Sequence, residues 1–243
     1  MERSSKAILF SGGLDSTCAA ILNPTHQLIR IGTGSKYDSV EAAHAALIAG
    51  AWGNRSLLEV DKVLDLGRYE QADALVPARN ALVALVAAQH AKELVLVSVD
   101  GDGTHATDKD VRFADIMSEL LAKLFGEGCV SLPYRKWSKL QLLHEALDRN
   151  EEATLAALPH VWSCYNPQQR SEWPYGWRHC GQCKACVRLH GALAWANVLE
   201  YGPKYVVDPF SLPLAQVREI YEGRGQEERL VLEVHRVANR NPQ

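Results

Sequence analysis

The sequence predicts an α/β fold in which a parallel five-stranded sheet is flanked by helices. Two observations lead to this prediction: short apolar runs recur along the first part of the chain, and longer stretches with helical apolar spacing separate them. Strands that alternate with helices normally pair in parallel, and ligands bind at the carboxyl ends of such strands. We therefore expect a binding site along that edge of the sheet.

The individual elements follow from these runs. The predicted strands are 7–10, 28–31, 57–60, 94–99 and 129–132. The predicted helices are 16–22, 39–49, 80–91, 112–125 and 138–147. Each helix opens near a polar residue that can cap its free amides, and Ser39 is the expected cap of the second helix.

The composition changes beyond about residue 154, which predicts an appended lobe. Prolines, tryptophans and cysteines crowd residues 162–186, and a helical run follows over 187–199. In the last segment a short helical stretch precedes the alternating residues of ERLVLEVHRV, which favour a strand. We predict an α/β domain over 1–153, a cysteine-rich lobe over 154–200 and a C-terminal extension over 201–243 whose role the sequence does not reveal.

The bulk properties restrict the class of protein. The chain has 243 residues, 47% of them hydrophobic, and a formal net charge of -3, so it lacks a global positive field that would hold a long nucleic acid. It shows no secretory signal pattern and no apolar run of the roughly 18 residues that a membrane span needs. We expect a cytoplasmic globular protein without membrane contact, and a homodimer is compatible with these properties.

The most informative short motif is the glycine turn in AILFSGGLDSTCAAIL, where a strand runs into Ser11-Gly12-Gly13 and a helix follows. A helix N-terminus carries unpaired amides and partial positive charge, and glycines let a phosphate approach the backbone closely. The hydroxyl groups of Ser11, Ser16 and Thr17 would add donors. A tight strand-to-helix connection without a ligand is the alternative interpretation.

The common phosphate loop G-x-x-x-x-G-K-[ST] does not occur in the chain, and S-G-G-x-D-S is a different motif. It resembles the pyrophosphate loop (PP-loop) of the ATP pyrophosphatase family, enzymes that release pyrophosphate from ATP and transfer AMP to an oxygen of their substrate. The resemblance implies an adenine nucleotide alpha hydrolase-like, Rossmann-like fold and an ATP-binding domain. It also implies that one set of residues binds the pyrophosphate end of ATP: Ser11, Gly12, Gly13, Asp15, Ser16 and Thr17.

A cysteine cluster follows in the lobe. Cys164 precedes Cys180, Cys183 and Cys186, which are spaced at two-residue intervals. Four thiolates suit a closed tetrahedral zinc site, which contributes folding energy because no coordination position stays open for catalysis. An iron-sulfur cluster and a set of free or redox-paired thiols are the alternatives.

Ordered motifs narrow the resemblance. WSCYNP followed by HCGQCKACVRLHGA is similar to the zinc segment of the queuosine-pathway 7-cyano-7-deazaguanine synthases, the QueC family. LVPARN, which ends at Asn80, resembles the family's V-P-x-R-N stretch, and SKLQLL resembles its Ser-Lys helix start. On this resemblance Asp15, Arg79 and Lys139 are the catalytic residues, and Arg79 and Lys139 balance the charge that builds up as pyrophosphate leaves. Alternatively, Arg79 and Asn80 only open a helix, and Lys139 is a solvated helix residue.

The substrate side departs from the family pattern. The family usually shows approximately D-Y-S-G-Y-P-D-C-R after the fourth strand, where this chain has DGDGTHATDKDVRF. Aligned through Phe113, Asp102 and Asp108 fall on the two family aspartates and become candidate substrate residues with Asn80, although acidic loops are commonly solvated turns. The Tyr-Gly-Gln-Arg-His stretch after the second strand is missing as well. The loop before the cysteine triplet carries Trp173, Tyr175 and Trp177, which could stack on a heterocycle or pack over the lobe.

The resemblance implies an ATP-dependent ligase that uses Mg²⁺ and a structural Zn²⁺. Its substrate would be a deazapurine carboxylate, 7-carboxy-7-deazaguanine, and its amine would be ammonia. Because the substrate-side motifs differ, an alternative is a family member from an antiviral defence operon that joins the deazaguanine to a protein amine. Two further alternatives are a tRNA thiolase with the same loop and a zinc-stabilised scaffold that binds nucleotide without turnover.

Overall fold

The structure is a computed structural model, and it describes residues 3–61, 64–71, 76–102, 107–173, 176–222 and 225–240. Its main sheet contains β1 (Ser4–Leu9), β2 (Gln27–Ile31), β3 (Leu57–Val60), β4 (Ala91–Val95) and β5 (Cys129–Ser131). The strand order is β3-β2-β1-β4-β5, and all four pairings are parallel. The predicted five-stranded α/β fold is confirmed.

Helices cover both faces of this sheet. They are α1 (Leu14–Leu22), α2 (Asp38–Ala51), α3 (Arg79–Ala87), α4 (Val111–Phe125), α5 (Lys139–Arg149), α6 (Glu151–Ala157), α7 (Lys184–Trp195), α8 (Leu214–Tyr221) and α9 (Gln226–Arg240). Successive side chains of β1 point to opposite faces, so Ile8 packs with α1 and α5 while Ala7 and Leu9 pack with α3 and α4. The sheet is therefore buried on both sides, as its continuous apolar strands require.

One predicted boundary is wrong by several residues. α3 ends at Ala87 and β4 already begins at Ala91, whereas the sequence predicted a helix to 91 and a strand from 94. The pairing with β1 explains this difference, because Ser4 lies opposite Ala91 and Lys6 opposite Glu93. The apolar run did not reveal the start of β4, because the first residues of this strand include the polar Lys92 and Glu93.

The predicted cap of α2 is also wrong. Tyr37 precedes the helix and gives no side-chain cap, and Ser39 lies exposed one residue inside it. The carboxylate of Asp38 instead accepts hydrogen bonds from the amides of Thr33 and Gly34, 3.1 and 3.3 Å away. Asp38 thus holds the preceding loop against the start of α2. This contact depends on the conformation of the loop, so the local sequence alone does not predict it.

The lobe that carries the cysteines contains a small antiparallel sheet of β6 (Gln168–Gln169) and β7 (Trp177–Arg178), followed by α7. The predicted C-terminal strand is wrong, because the segment forms the helix α9. Its buried residues Val231, Leu232 and His235 recur at helical spacing, which the apparent alternation of apolar residues had masked.

The C-terminal segment packs against the rest of the chain through two features. Val231 and Leu232 belong to the same apolar core cluster as Ile8 of β1. In addition, ring contacts with centroid distances from 4.4 to 5.4 Å connect α2 to α9 in a continuous series. Its members are His44, Trp162, His179, Tyr205, His190, Phe210 and His235. The division at residues 153 and 200 stays a prediction.

Among the described residues, no helix combines the length and the apolar character that a bilayer span requires.

Candidate active site

The candidate site lies at the carboxyl edge of the sheet between β1 and β4. The chain leaves β1 toward β2 on one side of the sheet, whereas β4 pairs with β1 on the other side. In sheets of this type the connecting loops diverge at such a position and leave a crevice for a ligand. The glycine turn follows β1, and the loop that contains Asp102 follows β4.

Backbone geometry opens the glycine turn toward this crevice. Gly12 has a φ of +73°, and a Cβ atom there would lie 3.2 Å from the amide nitrogen of Ala45 in α2. Gly13 precedes α1 in an extended conformation and provides no side-chain cap. The first-turn amides of α1 therefore have neither a helical acceptor nor a capping side chain, which makes them donors for an anion.

Hydroxyl groups surround the same turn. The Oγ atoms of Ser11 and Ser16 lie 3.3 Å apart, and Ser16 donates a hydrogen bond to the carbonyl oxygen of Gly13 at 3.1 Å. Thr17 is buried, and its hydroxyl finds no hydrogen-bond partner within the described ranges. Ser11 is exposed and available to a ligand.

The structure joins two of the predicted catalytic residues. Lys139 donates a charged hydrogen bond from Nζ to the carboxylate of Asp15. Lys139 is the first residue of α5, which starts with a capping box in which Ser138 and Gln141 exchange side-chain-to-backbone hydrogen bonds. Its side chain is 10% exposed, so the interpretation of Lys139 as a solvated helix residue is wrong.

Arg79 is the first residue of α3. It follows Ala78, which adopts a left-handed conformation with φ 58°, and its side chain is half-buried. Burial raises the pKa of Glu41 in α2 to about 7, against the opposing charges of Arg79 and Arg30. Among the described residues no contact joins Arg79 to the pair of Lys139 and Asp15.

Asn80 and Asp108 contact each other. The amide nitrogen of Asn80 donates to the carboxylate of Asp108 at 3.3 Å, and its side-chain amide donates to the Asp108 carbonyl oxygen at 3.2 Å. Asp108 therefore stabilises the N-terminus of α3, where a negative charge is favoured. These two candidate substrate residues have a structural use in this chain.

Asp102 has cationic neighbours that the sequence analysis missed. Its carboxylate oxygens lie 3.7 Å from Nζ of Lys109 and 3.8 Å from Nη1 of Arg188. Arg188 belongs to α7 and lies far from Asp102 in the sequence. The one local signal for Arg188 was a basic residue inside the apolar helical run that follows the cysteine triplet.

The predicted cysteine cluster is assembled. The sulfur atoms of Cys164, Cys180, Cys183 and Cys186 all lie within 4.8 Å of one another. Cys180 and Cys183 are 3.8 and 3.4 Å from Cys186, close to the roughly 3.8 Å between ligands that a tetrahedral site with 2.3 Å zinc-sulfur bonds requires. The four thiols therefore fit a metal ion.

Hydrogen bonds favour the thiolate form of two of these cysteines. The amide of Cys180 donates to the sulfur of Cys164 at 3.2 Å, and the amide of Cys183 donates to that of Cys180 at 3.4 Å. Hydrogen bonds among the four thiols, with Cys164 as the main partner, lower the pKa of Cys183 to about 6 and also lower the pKa of Cys180, whereas they raise the pKa of Cys164 and of Cys186. Because deprotonated thiols bind a metal ion, binding would release the protons that Cys164 and Cys186 hold.

The aromatic residues of the lobe are occupied by protein contacts. Trp177 packs on the cluster of buried residues that surrounds the cysteines. The guanidinium groups of Arg170 and Arg178 lie over the ring of Trp173, 5.3 and 4.9 Å from its centroid. Tyr175 lies outside the described residues. Packing over the lobe is thus the observed role of Trp177.

Comparison with known proteins gives two matches. Residues 35–197 match the family described as "Queuosine biosynthesis protein QueC". The chain is also 30% identical over 205 residues to a 7-cyano-7-deazaguanine synthase of Agrobacterium fabrum (strain C58 / ATCC 33970), covering 79% of this chain and 73% of the relative. The family match begins downstream of the glycine turn, so the role of that turn is proposed from its own geometry.

The fold and these matches define the class of protein, an enzyme of the PP-loop superfamily. Within this class, the chain belongs to the QueC family.

Proposed function

We propose that this protein adenylates the carboxylate of 7-carboxy-7-deazaguanine and couples it to ammonia, as a 7-cyano-7-deazaguanine synthase. The observation that carries the proposal is the Lys139–Asp15 ion pair beside the open N-terminus of α1. It places a buried cation next to a turn with free amides, which suits a triphosphate. Membership of the QueC family supports the choice of the acid.

The first step forms a mixed anhydride. A carboxylate oxygen attacks the α-phosphorus of ATP, the bond to the bridging oxygen breaks, and pyrophosphate leaves. The carboxylate is already ionised at neutral pH, so this step needs no general base. Mg²⁺, when bound with ATP, supplies further neutralisation of the phosphate charge.

The residues around the turn stabilise the leaving group. The first-turn amides of α1 and the hydroxyl of Ser11 donate to the pyrophosphate oxygens, and the hydroxyl of Ser16 joins them when it exchanges the Gly13 carbonyl oxygen for a phosphate oxygen. Lys139 offers its positive charge as negative charge accumulates, and Asp15 fixes the direction of its ammonium group. Arg79, at the start of α3, contributes a second positive charge.

Two further steps give the nitrile. Ammonia attacks the acyl carbon and expels AMP, which leaves an amide and releases one proton. The amide oxygen then attacks a second ATP at the α-phosphorus, and loss of AMP with the nitrogen-bound protons forms the carbon-nitrogen triple bond. The net reaction consumes two ATP and releases two AMP and two pyrophosphate.

The cysteine cluster has a structural part in this proposal. A Zn²⁺ ion would be held by the four thiolates of Cys164, Cys180, Cys183 and Cys186, with no open coordination position. The ion would stabilise the fold and would not act as a Lewis acid in the reaction. The iron-sulfur alternative uses the same four ligands.

A second function is favoured by the changed substrate side. The tyrosines and the Cys-Arg pair of the family loop are absent between 100 and 113, and Asp108 is engaged with Asn80. If the acceptor differs, the reaction would stop at an amide that links the deazaguanine to a protein amine. A homodimer and a cytoplasmic location remain predictions.

Product analysis tests both functions. The protein is incubated with 7-carboxy-7-deazaguanine, ATP, Mg²⁺ and ammonia, and the nucleotides, the small molecules and the intact protein are analysed by mass spectrometry. A nitrile with two AMP per product supports the synthase, whereas an adduct on a protein amine supports conjugation. Absence of acid-dependent AMP and pyrophosphate contradicts both and favours a nucleotide-binding scaffold.

A further inference from the structure

We propose that Arg188 binds an anionic oxygen of the reactants and that Glu227, from the C-terminal helix α9, positions its guanidinium group. This inference rests on the proposed function, because it assigns Arg188 to the same crevice. It gives the C-terminal segment, which lies outside the region of the family match, a part in the active site.

Arg188 is a cation with unused donors. Its side chain is 15% exposed, and its Nε and Nη2 atoms are buried without a hydrogen-bond partner among the residues that the structure describes. The carboxylates of Asp102 and Glu227 lie 3.8 and 3.7 Å away, beyond hydrogen-bonding distance. A buried guanidinium whose donors lack partners is costly unless a ligand completes them.

The position of Asp102 places Arg188 at the crevice. Asp102 belongs to the loop that follows β4, and its Oδ1 atom lies 3.8 Å from Nη1 of Arg188. The glycine turn follows β1, the strand that pairs with β4, so it borders the same crevice. Arg188 thus lies at the edge of the sheet to which we assign the phosphates.

Glu227 is suited to orient Arg188. It is 3% exposed on the first turn of α9, and its Oε1 atom has no hydrogen-bond partner in the described part of the chain. α9 packs against α7, which carries Arg188, and Tyr221 donates from its hydroxyl to the carbonyl oxygen of Val187 at 3.3 Å. Glu227 thus attracts the guanidinium group of Arg188 without accepting a hydrogen bond from it.

Two reactants could supply the anionic oxygen: a phosphate of ATP or the carboxylate of the acid. Calorimetric titration separates them. Wild-type protein and the variants Arg188→Gln and Glu227→Gln are titrated with Mg·ATP in one arm and with 7-carboxy-7-deazaguanine in the other. Both glutamines keep most of the side-chain volume and remove the charge.

We expect Arg188→Gln to weaken binding of one reactant by about 10-fold to 100-fold, as for loss of a charge-assisted hydrogen bond. Glu227→Gln should weaken the same arm by about 3-fold to 10-fold. The double variant should bind no more weakly than Arg188→Gln alone, because Glu227 acts through Arg188. A purely structural role of Glu227 would give additive losses and would affect both arms equally.

Glu233→Gln is the matched control, since Glu233 is an exposed carboxylate on the same helix. Circular dichroism and the melting temperature verify that each variant folds. The inference is overturned if Arg188→Gln binds both reactants like the wild type, or if Glu227→Gln binds like Glu233→Gln. Wild-type protein that binds ATP but not the acid would overturn the proposed substrate, and the ATP arm would still decide the inference. Binding of neither reactant by the wild type would overturn both.

Discussion

Lys139 and Asp15 are 124 positions apart in the sequence, and their side chains form a charged hydrogen bond at the start of α1. The pair joins the loop after β1 to the first residue of α5. A buried lysine needs such a partner, since an unpaired ammonium group in this environment would be costly. The pair therefore fixes a positive charge next to the glycine turn.

Replacement of Lys139 by glutamine removes that charge. We expect Lys139→Gln to lower kcat for acid-dependent pyrophosphate release by about 100-fold, the loss typical of a preorganised charge in the transition state. Lys136→Gln, at an exposed lysine in the preceding turn, should leave kcat unchanged. Equal rates for the two variants, measured by a coupled pyrophosphate assay, would contradict the role of Lys139.

A methyl group added to the glycine turn tests its geometry. Gly12→Ala places Cβ 3.2 Å from the backbone of α2 at a φ of +73°, whereas Gly53→Ala has a similar φ of +70° and open space around it. We expect Gly53→Ala to cost about 1 kcal/mol of unfolding free energy for its backbone conformation alone. Gly12→Ala should cost about 1–3 kcal/mol more and weaken ATP binding. Urea denaturation measures the unfolding free energy of each variant. Similar losses of stability in Gly12→Ala and Gly53→Ala would rule out the close approach of Gly12 to α2.

Loss of a cysteine ligand tests the metal site. Cys186→Ser should reduce the bound zinc from one per chain to well below one, as measured by elemental mass spectrometry, and should lower the melting temperature. Cys129→Ser is the control, because Cys129 lies in β5 outside the cluster. Iron and inorganic sulfide in place of zinc, with visible absorption, would show the cluster alternative to be correct.

Glu41 should make stability depend on pH. Its pKa is raised to about 7 in the folded protein, above its usual value of 4.5, so the folded state binds more protons between these values. Stability should therefore fall as pH rises from about 4.5 through 7 and then level off. Glu41→Gln should raise the melting temperature at pH 8, and this gain should shrink toward pH 5.

Glu145→Gln is the control for that comparison, since Glu145 is exposed on α5. A gain for Glu41→Gln that stays constant from pH 5 to pH 8 would show that its carboxyl does not titrate in this range.

The parts of the protein that the sequence predicted are those encoded by local patterns. The glycine turn, the cysteine spacing and the alternation of strands with helices each depend on neighbouring residues, and the structure shows all three. Asp15 and Lys139 were identified separately by motif resemblance. Their contact could not be predicted by spacing, because it depends on how α5 packs against α1.

The residues that were missed act over long sequence separations. Arg188 belongs to the lobe, Asp102 to the loop after β4 and Glu227 to the last helix, and only the fold brings them together. The last helix itself was mistaken for a strand, since apolar residues at Leu230, Leu232 and Val234 alternate as well as recur around a helix. Tertiary packing against α7 decided between the two.

Isotope transfer tests most directly whether a carboxylate oxygen attacks ATP at this site. The protein is supplied with 7-carboxy-7-deazaguanine labelled with ¹⁸O in both carboxylate positions, with ATP and ammonia, and the AMP is analysed by mass spectrometry. The account predicts AMP that carries one ¹⁸O atom from the acid at the first adenylation, and a second labelled AMP when the amide oxygen leaves. Unlabelled AMP, or ADP in its place, would contradict adenylation of the acid.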